Sequence, residues 1–392
     1  MSNQFTCRWA ALSLSSIAAT FLPDLLLPRE DSEAIKHELV AISTTGSKER
    51  ADGWLKDNKI PNADRITLYH SWEEMLEKGD FDIVYISTPH PLHYEHVQKA
   101  LEHKRNVLVE KPATMNRAQY AKLAEIAKRQ NVVLMEAMWT RYLPAAKYFK
   151  EVLLPTIGEV KRVYAEFSFP IVSADMPLSS RFIDKAAGGG SLLDQGVYAL
   201  TWVDLALNGM GPGSTVTEVI HASTMSLPGV PGEVDDMNTV ILSKHQKDSK
   251  KQEAVAIVTT SMTMPGSSKP PFYQRLAAKR SSPAVRVEGT KASVAVPFPP
   301  IRPQELHVQW YDDEHMGEDG IEKDEVISKP VERGWGIWMQ ADVLAAKVAE
   351  RRQGQPTEGE VINEEESLRV LGWMDQAREQ AGIKYDPKMD QL

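Results

Sequence analysis

From Cys7 to Met135 short apolar runs alternate with amphipathic ones, and that rhythm leaves few folds open. The strand-like runs are Arg8 to Leu14, Glu38 to Thr44, Ile66 to Leu68, Ile83 to Ser87, Asn106 to Val109 and Val132 to Met135. Helical patterns fall between them at Ser16 to Leu27, Lys48 to Asn58, Trp72 to Glu77, His93 to His103 and Asn116 to Gln130. A chain that returns to a strand after each helix of about ten to fifteen residues builds βαβ units and a parallel sheet. The expectation is a doubly wound α/β domain.

Beyond Met135 the rhythm changes. Residues 136–157 read as a connecting helix closed by Pro155 and Gly158. Alternating or β-branched runs follow at Glu159 to Phe169, Ser214 to Thr224, Asp236 to Ser243, Ala254 to Met264, Ala284 to Glu288, Ala292 to Val296 and Leu306 to Trp310, interrupted by one helix, Ser191 to Leu207. Consecutive strands without crossovers imply an open-faced, mostly antiparallel sheet. Two helical patterns, Trp338 to Arg352 and Asn363 to Ala381, close the chain. The expected division is 1–137, 138–337, and 338–392 packed back on the first domain. Asp312 to Glu325 reads as a solvated loop, and Lys244 to Lys251 and Lys279-Arg280 as hairpin tips.

At 392 residues the chain can bury two cores, and 42% apolar with 25% charged residues suits an ordinary globular protein. A net charge of -9, with no basic stripe interleaved with aromatics, argues against nucleic acid. Trp9 to Leu22 has the length and apolarity of a signal-peptide core. Only Arg8 precedes it as a positive charge, Asp24 follows closely, and its removal would cost the β-α rhythm its first strand, so it reads as strand and helix. Cys7 is the only cysteine, which excludes an intrachain disulfide and fits a reducing, cytoplasmic setting with no membrane partner.

Three stretches can carry chemistry. Lys111, in Leu108-Val-Glu-Lys-Pro112, falls at the carboxyl end of a strand, where open α/β sheets bind ligands. There it can hold a substrate hydroxyl or move a proton, or it is a solvated lysine before a turn proline. In Gly188-Gly-Gly-Ser-Leu-Leu-Asp-Gln-Gly-Val-Tyr198, Ser191 can cap a helix on which Asp194 and Tyr198, four apart, share a face. The plain alternative is a glycine-rich loop with a tyrosine that packs by its ring. In Ser87-Thr-Pro-His-Pro-Leu-His93 the two histidines lack a third ligand at convincing spacing, so no metal is expected and a helix start facing a phosphate, or simple capping, fits better.

Val84 to His93, Val109-Glu-Lys-Pro112, Met135-Glu-Ala-Met-Trp-Thr-Arg141, Gly188 to Tyr198 and Val287-Glu-Gly-Thr-Lys291 together resemble the glucose-fructose oxidoreductase (Gfo/Idh/MocA) family, nearest its dimeric dihydrodiol dehydrogenase and NADP-dependent D-xylose 1-dehydrogenase branch. The resemblance implies a Rossmann-type domain, an open-faced second domain that dimerises across its sheet, and hydride transfer between NADP(H) and a hydroxyl or hemiacetal carbon of a small metabolite. It assigns Lys111 as catalytic lysine, Tyr198 as general acid/base and Asp194 as the group orienting hydroxyls. Around the cofactor it places Ser13, Ser15, Ser16, Ile17, Thr45, Thr88, Pro89, His93, Glu110, Lys111, Trp139 and Arg141. Met176, Phe182 and Ile183, near the expected cleft, favour a hydrophobic substrate.

The departures fall on the cofactor side. The family's Gly-x-Gly loop is here Leu12-Ser-Leu-Ser-Ser-Ile-Ala18, without a glycine, and Thr44-Thr45-Gly46 replaces the Ser-Arg that holds the 2'-phosphate of NADP. Lys48 or Arg50 remains to reach a phosphate. Two strained serines at about 1–3 kcal/mol each would weaken the nucleotide by one to several decades. Three readings are open: an NADP-dependent oxidoreductase, a cofactor-free relative using Lys111 and Tyr198 for isomerisation, dehydration or cyclisation, and a pseudoenzyme subunit.

Overall fold

The computed structural model describes residues 4–28, 30, 34–173, 175–209, 215–249, 251–267, 282–315, 323–352 and 359–392. Its strands are β1 (Phe5–Leu12), β2 (Ile35–Ser43), β3 (Thr67–Tyr69), β4 (Ile83–Ile86), β5 (Asn106–Val109), β6 (Val133–Glu136), β7 (Arg162–Ser168), β8 (Thr215–Ser226), β9 (Asp235–Gln246), β10 (Gln252–Ser261), β11 (Val285–Glu288), β12 (Ala292–Val296), β13 (Glu305–Trp310), β14 (Asp324–Ser328) and β15 (Glu360–Ile362). The main helices are α1 (Ala18–Leu25), α2 (Lys48–Asp57), α3 (Trp72–Lys78), α4 (His93–Glu102), α5 (Arg117–Gln130), α6 (Pro144–Tyr148), α7 (Val197–Asn208), α8 (Trp338–Arg352) and α9 (Glu364–Ala381). Two compact units result, residues 1–139 with 332–368 and 390–392, and residues 140–331 with 369–389.

The first unit holds a seven-stranded sheet in the order β15-β6-β5-β4-β1-β2-β3, parallel throughout. Its central strands are covered on both faces, and every residue of β4 is buried, as a strand between two helical layers requires. α8 packs on α1 and on the sheet. Its start is fixed by Asp24 of α1, whose carboxylate accepts the Trp335 N–H at 2.6 Å and the Trp338 N–H at 3.2 Å. Burial raises the Asp24 pKa, opposed by these backbone donors. Gly334 has φ +59, and a Cβ there would lie 1.9 Å from Asp24 Oδ1, so the turn needs glycine.

The second unit is an eight-stranded sheet ordered β14-β13-β12-β11-β7-β10-β9-β8, in which β7 and β10 are the parallel pair and the other pairs are antiparallel. α7 covers one face and is buried from Val197 to Leu207. Along β7, Val163, Ala165 and Phe167 point inward while Arg162 and Tyr164 stay exposed, the alternation of a sheet with one open face.

Several elements differ from the sequence expectation. Residues 136–157 are not one helix: a tight turn at Trp139–Tyr142, the short α6 and a π-turn at Phe149–Leu153 replace it. Pro144 opens α6, where its missing N–H would have no intrahelical partner anyway and its fixed φ suits the first turn. The acidic stretch after Asp312 ends in a strand, β14, while residues 316–322 and Lys279-Arg280 lie outside the described residues. Lys244 is no tip residue, since its half-buried ammonium donates to the Leu207 carbonyl at 2.5 Å. The closing helices are divided, because α9 from Arg369 onward belongs to the second unit. There β8 bulges after Val219, whose N–H donates to Gln376 Oε1 at 2.9 Å and whose carbonyl accepts from Gln380 at 3.1 Å.

Asp24→Ala removes both donors' acceptor at the start of α8 and should lower the unfolding free energy by about 1–3 kcal/mol in a urea titration. An unchanged midpoint would mean that the start of α8 is held by packing alone.

Candidate functional site

Winding reverses at β1, which has β2 on one side and β4 on the other, so the crevice of this sheet opens beyond the carboxyl ends of β1 and β4. Ser13 leaves β1 with φ +87, a conformation glycine adopts freely, and its N–H donates to the Ser43 carbonyl at 2.9 Å. Ser15 spans the crevice: its hydroxyl donates to Ser87 Oγ at 2.9 Å and accepts the Ala18 N–H at 3.2 Å. Ser16 is exposed and Ile17 half-buried.

Beyond β2, Thr45 is exposed and Thr44 Oγ1 accepts the Gly46 N–H at 3.2 Å. Ser47 caps α2 by accepting the Arg50 N–H at 3.3 Å. The Arg50 stem crosses Gly46, with Cδ 3.2 Å from where a Cβ would sit. Lys48 pairs with Asp52 at 2.6 Å. No acidic side chain stands between Ser43 and Lys48 to accept a ribose diol, and an exposed guanidinium is at hand, a set that suits a 2'-phosphate.

The loop after β5 carries Lys111 and is held from below by three buried groups. Glu110 accepts from the Tyr85 hydroxyl at 2.7 Å and from the Lys111 N–H at 3.2 Å. Glu136 accepts from the Ala113 N–H at 3.0 Å and the Ser367 hydroxyl at 2.6 Å. His93 is wholly buried, with Nδ1 3.0 Å from the Pro112 carbonyl and Nε2 2.8 Å from the Thr88 carbonyl. Burial lowers its pKa to about 4, so it is neutral at physiological pH. The resemblance set His93 beside the cofactor; its ring is turned inward between the Thr88 and Lys111 loops, and as a neutral imidazole, with a single N–H, it donates to one of the two carbonyls. Thr88 Oγ1 meets His96 Nδ1 at 3.0 Å, Pro89 is exposed, and Lys111 is half-buried. Glu136, quoted in the motif after Met135, had no role in the sequence reading.

Trp139 is buried in the first unit. Arg141 lies in the second, its side chain 6% exposed and paired with the buried Asp204 at 2.9 Å, which also takes Arg369 at 2.7 Å. This Arg-Asp-Arg triad gives Arg141 a structural employment inside its own unit.

In the second unit Gly188 and Gly190 have φ +76 and +128, and a Cβ on Gly190 would fall 2.0 Å from Asp235 Oδ1. The chain then makes a π-turn, Leu192–Gly196, that runs into α7. Ser191 does not cap it; its hydroxyl donates to the Asp236 carbonyl and accepts from Asn238 Nδ2 at 2.7 Å. Asp194 pairs with Arg181 at 3.1 Å. Tyr198 is 7% exposed, with its ring edge-on to Phe167 at 5.7 Å. From Phe167 an aromatic run continues through Phe298 at 6.2 Å to Phe169, stacked on Phe298 at 6.3 Å and 45% exposed. No motif marks these phenylalanines. Met176, Phe182 and Ile183 instead build a separate small core with Leu227 and Val234.

Residues 16–138 match the family model for the oxidoreductase family with an NAD-binding Rossmann fold, and residues 155–295 match the Gfo/Idh/MocA C-terminal domain. The chain belongs to the Gfo/Idh/MocA oxidoreductase family. It is 31% identical over 395 residues to a D-xylose 1-dehydrogenase (NADP(+)) of Hypocrea jecorina, covering 98% of this chain and 94% of that one. It is also 33% identical over 261 residues to a trans-1,2-dihydrobenzene-1,2-diol dehydrogenase of Xenopus tropicalis, covering 66% of this chain and 70% of that one. A 3-ketoreductase from Actinomadura kijaniata, solved with NADP and TDP-benzene, shares the fold at a TM-score of 0.69 and 20% identity over 96% of this chain and 98% of its own. The first of the family matches starts at Ser16, just beyond the altered turn.

Two outcomes are expected. The folded His93 pKa lies below the unfolded value of 6.5, so its neutral form favours the fold above pH 6.5 and that contribution is lost as pH falls toward 4. The wild type should lose on the order of 3 kcal/mol through this group across that window in denaturant titrations, and His93→Gln should lack that component. Ser13→Gly should raise stability by about 1 kcal/mol by relieving the positive φ; a fall would show that the serine is at ease there.

Proposed function

We propose that the chain transfers hydride between NADP(H) and a hydroxyl-bearing carbon of a cyclic diol or sugar. The observation that carries the reading is the Lys111 loop, which Glu110, Glu136 and His93 fix to backbone groups at the carboxyl end of the parallel sheet. A lysine on such a loop suits a reacting oxygen, because the backbone that carries it is set before substrate arrives. The nicotinamide, when bound, supplies or takes the hydride. Lys111 holds the reacting oxygen, the Tyr198 phenol gives or takes its proton, and Asp194, paired with Arg181, orients neighbouring hydroxyls. On the nucleotide side Ser13, Ser15, Ser16, Ile17, Thr45, Thr88 and Pro89 line the crevice, and Arg50 takes the 2'-phosphate.

The aromatic run ending at exposed Phe169 favours a substrate ring with an apolar face over an open-chain polyol. The dihydrodiol relatives are consistent with that preference. The chain also pairs with a second copy through the open face of its eight-stranded sheet, where Tyr164, Ile220 and Val326 are exposed, and works in the cytoplasm. The cofactor-free reading rests on Ser15, whose hydroxyl already takes the Ala18 N–H that an anion would use.

Fluorescence titration with NADPH and NADH separates the readings: NADPH at about micromolar affinity and NADH more weakly supports the proposal. No binding at millimolar NADPH sinks it in favour of cofactor-free chemistry. Lys111→Ala and Tyr198→Phe should each cut kcat by about 10²–10⁴-fold with the fold intact. Near-normal turnover by either removes that residue from the mechanism.

A further inference from the structure

The run Val234-Asp-Asp-Met-Asn238 opens β9 and has no part in the chemistry above. Both aspartates are buried, at 1% and 3% exposure, and each holds a different piece of the second unit. Asp236 Oδ1 accepts the Met262 N–H at 2.7 Å, the Thr263 N–H at 3.1 Å and the Ser261 hydroxyl at 3.0 Å, which closes the end of β10. Asp235 Oδ2 accepts the Leu192 N–H at 2.8 Å and Asn238 Nδ2 at 2.8 Å.

Leu192 is the first residue of the π-turn that presents Asp194 and leads into Tyr198. A π-turn is a rare, wide turn, and recovering ordinary α-helical register there would swing Asp194 by about 100° relative to α7. A hold from outside the helix fixes which register is kept. Gly190 admits that hold: it has φ +128, and any Cβ on it would strike Asp235 Oδ1. A carboxylate without a cation bonded to it is an expensive group to bury, and burial raises its pKa, so packing alone does not explain an aspartate here.

We infer that Asp235 is a positioning residue for the site: through the Leu192 N–H it sets the register of Leu192–Gly196, and so the placement of Asp194 against Tyr198. The inference rests on the reading that these two residues act on substrate.

The test compares Asp235→Ala, Asp235→Asn, Gly190→Ala and Tyr198→Phe in the full chain, measuring kcat, KM, NADPH affinity and amide exchange of residues 192–196. Asp235→Ala should lower kcat about 100-fold, leave NADPH affinity within about twofold and speed exchange across 192–196. Asp235→Asn, which keeps an acceptor oxygen for the Leu192 N–H, should recover kcat to within about threefold of wild type. Gly190→Ala leaves the carboxylate in the chain but drives a methyl into it, and should reproduce the Asp235→Ala defect. Wild-type kcat in Asp235→Ala or Gly190→Ala overturns the inference, as does a kcat loss with unchanged exchange. Should Tyr198→Phe turn over normally, the site reading falls first and the inference falls with it.

Discussion

The reversal of winding at β1 is the constraint on which the first unit depends. A parallel strand must be entered and left by crossovers, so a strand flanked by β2 on one side and β4 on the other sends its neighbours' connections in opposite directions. No crossover fills the gap between them. The polar groups at that gap must then find partners from the loops themselves, and the Ser15 to Ser87 hydroxyl contact is how this chain does it. Ser13, Thr88 and Lys111 stand where they do because they follow β1, β4 and β5 in that sheet.

The site loops are held by polar pins rather than by apolar packing. Below Lys111, two carboxylates and an imidazole meet backbone N–H and carbonyl groups; below Asp194, Asp235 and Ser191 do the same. Hydrogen bonds fix direction as well as distance, whereas methyl contacts leave a loop free to slide. A buried polar group that loses its partner costs about 1–3 kcal/mol, so each pin also penalises the displaced loop. Both units thus carry a proposed site residue on an irregular turn whose backbone is held by buried polar groups.

Much of this was legible in the chain, and the gaps have physical causes. The alternation of apolar and amphipathic runs gave the sheet of the first unit, because strands covered on both faces must be apolar throughout. Of the strands, β15 escaped because three residues carry no period, and β14 because an edge strand with Asp324 and Glu325 reads as a loop while its charges protect the edge. Lys111, Asp194 and Tyr198 stood out by their motifs. Phe169 and Phe298 did not, since one ends a strand and the other sits among prolines and only folding stacks them. Nor could sequence tell that the His93 ring faces inward: the residue opens α4 either way, and direction depends on carbonyls supplied by two separate loops.

The serine loop is the hardest feature to weigh, and magnitudes separate its two effects. The sequence suggested that two serines in place of glycines would weaken the dinucleotide by one to several decades. Only Ser13 among them has positive φ. Its strain of about 1–3 kcal/mol is present in the protein before any ligand arrives, so it reduces stability and leaves affinity alone. Ser15 acts on affinity, because a diphosphate seeking the Ala18 N–H must displace its hydroxyl. That exchange of one hydrogen bond for another costs about 0.5–1.5 kcal/mol, a factor of about ten at most. A tenfold loss lies within the ordinary range of cofactor affinities, and the displaced Ser15 hydroxyl is itself a donor that an anion can use. Weighed this way, the missing glycines argue for a weaker nucleotide site with its turn preserved, and the cofactor-free alternative loses most of the energetic support that sequence alone had lent it.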